Sequence, residues 1–256
     1  MGKPAGWIGG AARRVLSGGV KERIRTRLAP VAHDPLREAY ASSLLTPLNL
    51  HLLHELVARL GRLEVEGDIV ECGVYKGGSA AALGWSMLKL DDSSRKLWLF
   101  DSFAGMPPAG DEDGELSHAL EGTYVGSEEL TRRLLGGVGV PRQRYPIVPG
   151  LFADTFPTVK APPTALLHVD GDFYESVKLT LEKFYPALAP GGFVVLNDYG
   201  IYKAAKTATD EFIEAYGLDI EPVAIDPTAV FFQKPGNGYS GLPAAGHFPG
   251  YPGAVA

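Results

Sequence analysis

The sequence predicts an α/β fold in which a doubly wound, mostly parallel seven-stranded sheet carries helices on both faces. Three observations lead to this prediction. From Asp68 onward, short apolar runs alternate with segments of helical periodicity, as in buried parallel strands joined by crossover helices. Glycine-rich and polar motifs follow several of these runs, where open α/β sheets bind ligands. The last two runs, separated by Pro227-Thr228, indicate a terminal antiparallel hairpin.

The individual elements follow in a regular order along the chain. Leucines and valines recur at helical spacing after Thr46-Pro47, so a helix should begin there and end at Gly61. The apolar runs predict strands at residues 68–73, 96–101, 145–149, 164–170, 193–198, 219–225 and 229–234. This order predicts an N-terminal helical extension and lid (1–61), an α/β domain (62–235) and a Gly/Pro-rich tail (236–256).

Composition and charge narrow the class of partner. The chain has 256 residues with 45% apolar and 21% charged side chains, as in an ordinary globular protein. Its net charge of -6 argues against nucleic-acid binding, and no apolar run reaches the roughly 20 residues that a membrane span needs. The single Cys72 is expected to be an inert core residue in a cytoplasmic protein. We expect a small-molecule ligand, and homo-oligomers, because the N-terminal helices and aromatic tail have no evident partner in the sheet.

The segment from Ala104 to Gly122 differs from the rest of the chain. It is rich in Gly, Pro, Asp and Glu, it has little periodicity, and it follows the second strand. We interpret it as a lid over a ligand site, since binding loops gather at this position in open sheets. Its acidic side chains at positions 111, 112, 113 and 115 are expected to be solvated.

A glycine-rich turn follows the first strand and leads into a helix. Glycines allow the backbone to turn tightly and approach a ligand, while a helix N-terminus offers free N–H groups. Glu71 stands where a dinucleotide-binding turn has its first glycine, and its carboxylate would repel a pyrophosphate. A cationic or zwitterionic ligand is therefore favoured over NAD. The candidate binding residues are Glu71, Gly73, Tyr75, Gly77, Gly78 and Ser79.

An acidic residue ends the second strand, about thirty residues after Glu71. A carboxylate at this position of two consecutive βαβ units can accept hydrogen bonds from both ribose hydroxyls of an adenosyl group. Asp101 is the candidate, with Ser102 and Phe103 beside it, although a strand-end Asp is also a common helix cap. Together with the turn, this residue predicts a nucleoside ligand.

Hard oxygen donors follow the fourth and fifth strands. Asp170 and Asp172 close one strand, and Asn197 and Asp198 close the next, so these side chains should meet at one edge of the sheet. Clustered carboxylates repel unless a cation such as Mg²⁺, Mn²⁺ or Ca²⁺ lies between them. We predict Asp170, Asn197 and Asp198 as ligands, with Asp170 or Asp172 as general base. His168 is expected to be an ordinary strand residue, or else to lie beside this site.

These motifs resemble those of the macrocin O-methyltransferase family, metal-dependent enzymes that methylate sugar hydroxyls. The resemblance runs from about Leu44 to Phe232 and is strongest at residues 70–78, 100–107 and 170–176. It implies a class I methyltransferase (Rossmann-like) fold, S-adenosylmethionine as donor and Mg²⁺ as ion. The implied acceptor is a deoxysugar on a natural-product glycoside or on a nucleotide such as TDP-rhamnose, and the implied metal ligands are again Asp170, Asn197 and Asp198.

One position departs from the family pattern. The family usually has Asp-Asp-Tyr after the fifth strand, whereas this chain has Asn197-Asp198-Tyr199. An amide oxygen can ligate Mg²⁺ with less charge, so the affinity for the metal should be lower. Catechol methyltransferases have a similar donor set, which keeps a catechol or phenol as the alternative acceptor. A catalytically silent S-adenosylmethionine-binding protein is the alternative of another class, although the chain keeps Asp170.

Overall fold

The computed structural model describes residues 36–236, and within this range one sheet of seven strands organises the protein. The strands are β1 (Asp68–Cys72), β2 (Leu97–Asp101), β3 (Ile147–Pro149), β4 (Thr164–Val169), β5 (Leu188–Leu196), β6 (Val223–Ala224) and β7 (Val230–Gln233). Their order is β3-β2-β1-β4-β5-β7-β6. The first five strands are parallel, and β7 pairs antiparallel with both β5 and β6. The predicted sheet and its terminal hairpin are confirmed.

Seven α-helices occur in the described range: α1 (Arg37–Ser42), α2 (Pro47–Arg62), α3 (Gly78–Lys89), α4 (Glu128–Gly137), α5 (Phe152–Thr155), α6 (Tyr174–Phe184) and α7 (Lys203–Ala215). The predicted start of α2 is confirmed, because the Thr46 hydroxyl accepts the backbone N–H of Asn49 and Pro47 occupies the first turn. The helix ends one residue beyond the predicted Gly61.

Two hydrophobic cores lie on opposite faces of the sheet. Successive strand residues point to opposite faces, so Ile69 faces one core and Val70 the other. Helices α2 and α3 cover the first face, and α6 and α7 cover the second. Because Leu53 and Leu56 of α2 share a core with Ile69, residues 47–61 pack against the domain predicted to begin at residue 62. The division at residue 62 stays a prediction.

The observed bounds of two strands, β5 and β6, differ from the predicted ones by more than two residues. Strand β5 begins at Leu188, five residues before the predicted start, because Pro190-Gly191-Gly192 forms an irregularity within the strand. The pairing shifts from Thr164–Leu188 to Leu166–Phe193 across it. Strand β6 contains only Val223 and Ala224 of the predicted 219–225, and it lies at the sheet edge, where pairing occurs on one side only.

Three other predictions concern the two ends of the chain, membrane-spanning helices and Cys72. Residues 1–35 and 237–256 lie outside the described residues, so the predicted N-terminal lid, the tail and the oligomer stay predictions. In the described part of the chain, no helix combines the length and apolarity needed to cross a bilayer. Cys72 is fully buried, and burial raises the pKa of its thiol well above the usual value, as expected for an inert core residue.

Candidate functional site

A cavity of about 410 Å³ lies at the carboxyl edge of the parallel strands. Backbone hydrogen bonds between neighbouring strand ends bring the sequence motifs together there. The Asp170 N–H donates to the Cys72 carbonyl at 2.8 Å, and the Asn197 N–H donates to the Val169 carbonyl at 2.9 Å. The ends of β1, β4 and β5 are thereby fixed relative to one another, and their side chains open into one space.

The glycine-rich turn after β1 lies close to Asp170, the first residue after β4. Gly73 has φ +95°, and a Cβ atom there would lie 1.9 Å from the carbonyl oxygen of Asp170, so only glycine fits. Gly77 caps α3 in the left-handed conformation with φ +80°. A Cβ on Gly78 would lie 2.4 Å from the Ser43 nitrogen, so this glycine permits the chain after α1 to pack on α3.

Asp101 fixes the conformation of that turn. Its Oδ2 accepts the backbone N–H groups of Val74 and Tyr75 at 2.6 and 2.7 Å, and its Oδ1 accepts the N–H of Phe103 at 2.6 Å. A carboxylate has about four acceptor positions, so these three bonds leave about one for a ligand. The side chain lines the cavity. Its predicted contact with ribose is therefore compatible with one hydroxyl rather than two.

Glu71 pairs with His168 beneath the cavity. The two residues are register partners on β1 and β4, both side chains have 0% exposure, and Glu71 Oε1 lies 3.0 Å from His168 Nδ1. Burial alone lowers the pKa of the His168 ring, but the hydrogen bond and charge of Glu71 outweigh this effect and raise it. Neither side chain is part of the cavity lining. His168 is thus a strand residue with a buried partner, which agrees with the first of the two roles expected for it, an ordinary strand residue.

Three carboxylates converge in the cavity. One oxygen from each of Asp170, Asp172 and Asp198 lies within 4.8 Å of the others. Burial and the neighbouring charge of Asp198 raise the pKa of Asp170 well above its usual range. Asp172 has φ +51°, a costly conformation for a residue with a side chain, and such strain is common at functional sites. A divalent cation bound here would offset the repulsion among the three carboxylates.

Asn197 lies between this cluster and helix α2. Its Nδ2 donates to Asp170 Oδ1 at 2.8 Å and lies 3.5 Å from Asp198 Oδ2. Its Oδ1 accepts from Nδ2 of Asn49 at 3.2 Å. In this orientation the amide nitrogen, and not the predicted ligand oxygen, faces the carboxylates. Asn49 is absent from the predicted site residues, because it lies in another element, 148 residues away in the chain.

Tyrosines form the remaining wall. The rings of Tyr75 and Tyr124 meet edge to face at 6.4 Å between centroids, and Tyr202 lines the same cavity. Burial, followed by the negative charges of Asp172 and Asp198, raises the pKa values of Tyr124 and Tyr202. The charges of the two carboxylates therefore act on both tyrosines. Tyr124 is also absent from the predicted site residues, because it follows an irregular segment without periodicity.

The loop at residues 104–122 lies against the cavity, as its predicted lid function requires. Its ends are joined by hydrogen bonds from Met106 N–H to the Thr123 carbonyl and from Gly122 N–H to the Met106 carbonyl. Asp113 holds the loop to α6, because its Oδ1 accepts the backbone N–H of Tyr174 at 2.7 Å. One of the acidic side chains expected to be solvated therefore connects two parts of the site.

Comparison with known proteins identifies the family of this chain. Residues 21–234 match the model of the macrocin-O-methyltransferase (TylF) family. The chain belongs to this family. It is 34% identical over 176 residues to demethyldecarbamoylnovobiocin O-methyltransferase of Streptomyces niveus, covering 66% of this chain and 67% of that protein. It is 35% identical over 174 residues to the 8-demethyl-8-(2,3-dimethoxy-alpha-L-rhamnosyl)-tetracenomycin-C 4'-O-methyltransferase of Streptomyces olivaceus, covering 66% of each.

The solved structure of the O-methyltransferase NovP has the same fold. It superposes with a TM-score of 0.71 at 30% sequence identity, covering 76% of this chain and 82% of that one. As a member of the macrocin O-methyltransferase family, the protein is an enzyme that transfers a methyl group to a hydroxyl, and its donor is S-adenosylmethionine. The predictions of fold, family and O-methyltransferase activity are confirmed, and the silent-protein and NAD-dependent alternatives are set aside.

The predicted site residues of this family member fall into two groups. The cavity lining contains Gly73, Tyr75, Ser79, Asp101, Ser102, Asp170, Asp172, Asn197 and Asp198. Four others lie outside the lining and support it, namely Glu71, Gly77, Gly78 and Phe103. Their direct contact with the donor stays a prediction.

Proposed function

We propose that this enzyme methylates a hydroxyl of a deoxysugar in a glycoside, with the assistance of Mg²⁺ or another divalent cation. The observation that carries this proposal is the convergence of Asp170, Asp172 and Asp198 in the cavity that Gly73 and Asp101 also line. A methyl donor and an oxygen-seeking cation would then lie side by side. The names of the relatives from Streptomyces niveus and Streptomyces olivaceus support a natural-product acceptor.

The residues at this edge fit a hard divalent cation. Carboxylate and amide oxygens are the donors that Mg²⁺ prefers, and burial, followed by the negative charge of Asp198, raises the pKa of Asp170. Asp170 and Asp198 would hold the ion, with Asn197 as the predicted third ligand. The bound cation would supply positive charge that lowers the pKa of the acceptor hydroxyl. The turn at Gly73, with Tyr75, Ser79, Asp101 and Ser102, would hold the donor.

We assign the role of general base to Asp172. Oδ1 of Asp170 accepts a hydrogen bond from Asn197, and the charge of Asp172 adds to the effect of burial in raising the pKa values of Tyr124 and Tyr202, which line the same cavity. A carboxylate on the acceptor side of the cavity is placed to remove the hydroxyl proton as the methyl group is transferred. The constrained backbone of Asp172, with φ +51°, limits the directions in which the carboxylate can point.

The charge of the cavity favours an acceptor without phosphate groups. Six carboxylate side chains line the cavity, and no Lys, Arg or His is present among the described lining residues. The diphosphate of a nucleotide sugar would approach this wall at a Coulombic cost. A sugar ring offers apolar C–H groups for the tyrosines and hydroxyls for the carboxylates. We therefore favour a deoxysugar that is already attached to an uncharged aglycone over TDP-rhamnose.

A methyl-transfer assay with three kinds of acceptor tests this proposal. Purified enzyme and S-adenosylmethionine would be incubated with deoxysugar glycosides, TDP-rhamnose and a catechol, each with Mg²⁺ and with EDTA. We expect transfer to a glycoside that EDTA abolishes. Methylation of catechol alone would refute the proposed sugar acceptor. Rates that are unchanged by EDTA would refute the proposed metal.

Two variants separate the roles of the carboxylates. Asp172→Asn should lower kcat by about 100-fold or more, the range for loss of a general base, with little change in donor affinity. Asp219→Asn is the matched control, since Asp219 is an exposed aspartate that does not line the cavity. Equal activity of Asp172→Asn and Asp219→Asn would contradict the base assignment.

A further inference from the structure

The side chain of Asn49 has no role in the site as described above, yet it is buried and contacts a predicted metal ligand. It lies in the first turn of α2 with 2% exposure. Its Nδ2 donates to Oδ1 of Asn197, whereas its own Oδ1 is buried without a hydrogen-bond partner among the described residues. A buried amide with only one partner is costly, so its presence beside the carboxylate cluster calls for a function.

The orientation of Asn197 determines whether it can bind a cation. In the observed arrangement its Nδ2 faces Asp170, and an amide N–H cannot ligate a metal. Reversing this amide would bring its oxygen toward the carboxylates. The Nδ2 of Asn197 would then face the Nδ2 of Asn49, and two donors would oppose each other. The reversal of Asn197 therefore requires Asn49 to reverse as well.

Nothing in the described surroundings prevents that joint reversal. Oδ1 of Asn49 has no hydrogen-bond partner among the described residues. The hydrogen bond to Asn197 is therefore the interaction that orients the Asn49 amide. Exchange of N and O in both amides keeps the 3.2 Å hydrogen bond, now with Asn197 as donor and Asn49 as acceptor. The backbone of Asn49 stays in place, since its N–H donates to the Thr46 hydroxyl and that hydroxyl donates to Asp226.

We propose that Asn49 is a positioning residue for the metal site, which accepts the Nδ2 of Asn197 when the oxygen of Asn197 turns toward the cation. Without a cation, the hydrogen bond from Nδ2 of Asn197 to Asp170 would offset part of the repulsion between Asp170 and Asp198. Cation binding and the orientation of the amide pair are therefore coupled. This inference rests on the proposed metal-assisted function.

The test is a calorimetric titration of Mn²⁺ into the full-length protein without donor or acceptor. Asn49→Leu removes the acceptor for Asn197, so the oxygen-inward orientation would leave a buried N–H unpaired. We expect the dissociation constant for Mn²⁺ to rise by about 10- to 100-fold, the usual effect of losing a residue that orients a ligand. Asn49→Asp keeps an acceptor at the same position and should bind Mn²⁺ at least as tightly as wild type.

Two further measurements distinguish positioning from a loss of folding. His51→Leu places the same side chain on the exposed side of the same helix and should leave Mn²⁺ affinity unchanged. Affinity for S-adenosylmethionine should be unchanged in Asn49→Leu, since Asn49 is not part of the cavity lining. Wild-type Mn²⁺ affinity in Asn49→Leu overturns this inference alone. A wild-type protein that binds no Mn²⁺ overturns the metal site and the inference with it.

Discussion

Replacing Gly73 with alanine tests the turn on which the donor and metal regions meet. The new Cβ would lie 1.9 Å from the Asp170 carbonyl oxygen and 2.7 Å from its carbon. Ordinary contacts begin at 3.4 Å, so the two backbones must separate by about 1.5 Å, the difference of these values. Separation would break the 2.8 Å hydrogen bond from Asp170 to Cys72. That loss costs about 1–3 kcal/mol, and a side chain at φ +95° costs a further 1–3 kcal/mol or so.

The expected destabilisation of Gly73→Ala is therefore about 2–6 kcal/mol. Urea unfolding gives this quantity, and calorimetry with S-adenosylmethionine should show donor affinity reduced by at least about tenfold. Gly136→Ala is the matched control, because Gly136 lies near the end of α4 without a positive φ, and a Cβ atom added there would meet nothing within 4 Å. Alanine there should raise the free energy of unfolding by about 0.5 kcal/mol. A Gly73→Ala protein with wild-type stability and wild-type donor affinity would refute the close approach of the two loops.

Three further predictions concern the same cavity. Asp101→Asn replaces one acceptor oxygen with a donor nitrogen, so the side chain can no longer accept from both the Val74–Tyr75 turn and Phe103, and calorimetry should show donor affinity at least about tenfold weaker; unchanged affinity would contradict this. Asp113→Ala releases the loop from Tyr174, and acceptor KM should rise several-fold while donor affinity stays constant; equal changes in both would argue for general unfolding. The raised pKa of Asp170 means that the metal-free folded state holds a proton that the unfolded state has lost, so stability falls as pH rises above the ordinary carboxyl range. Mg²⁺ competes with that proton, and the increase in Tm on adding Mg²⁺ should be larger at about pH 8 than at about pH 5. A pH-independent increase in Tm would count against the metal site.

The parallel sheet could be predicted because buried parallel strands leave a strong sequence signal. Continuous apolar runs such as Leu166-Leu167 and Val194-Val195 are required where both faces of a strand are covered. The start of β5 carried the opposite signal, since Pro190-Gly191-Gly192 is typical of a loop. Its pairing with β4 outweighs that local preference, and pairing between strands cannot be read from one strand alone.

The position of a site residue relative to its strand decided whether its role could be predicted. Residues directly after a strand, such as Asp170 and Asp198, could be placed in the cavity because parallel strands end at a common edge. Glu71 was predicted as a donor-binding residue, and it lies within β1 with its side chain paired to His168 of β4. Only the order of the strands, with β4 beside β1, identifies that partner. A residue inside a strand therefore needs the sheet order before its role can be assigned.

The amide of Asn197 shows a different limit. Its position after β5 follows from the sequence, but its orientation depends on Asn49, which belongs to a helix that precedes the sheet. An aspartate at position 197 would present an oxygen to the cation in either orientation, whereas an asparagine does so in one of two. In the proposed metal site, the substitution of Asn for the usual Asp would therefore make metal affinity depend on a second residue. With the proposed cation bound, the family difference at this position would extend control of the metal affinity to Asn49 in the first turn of α2.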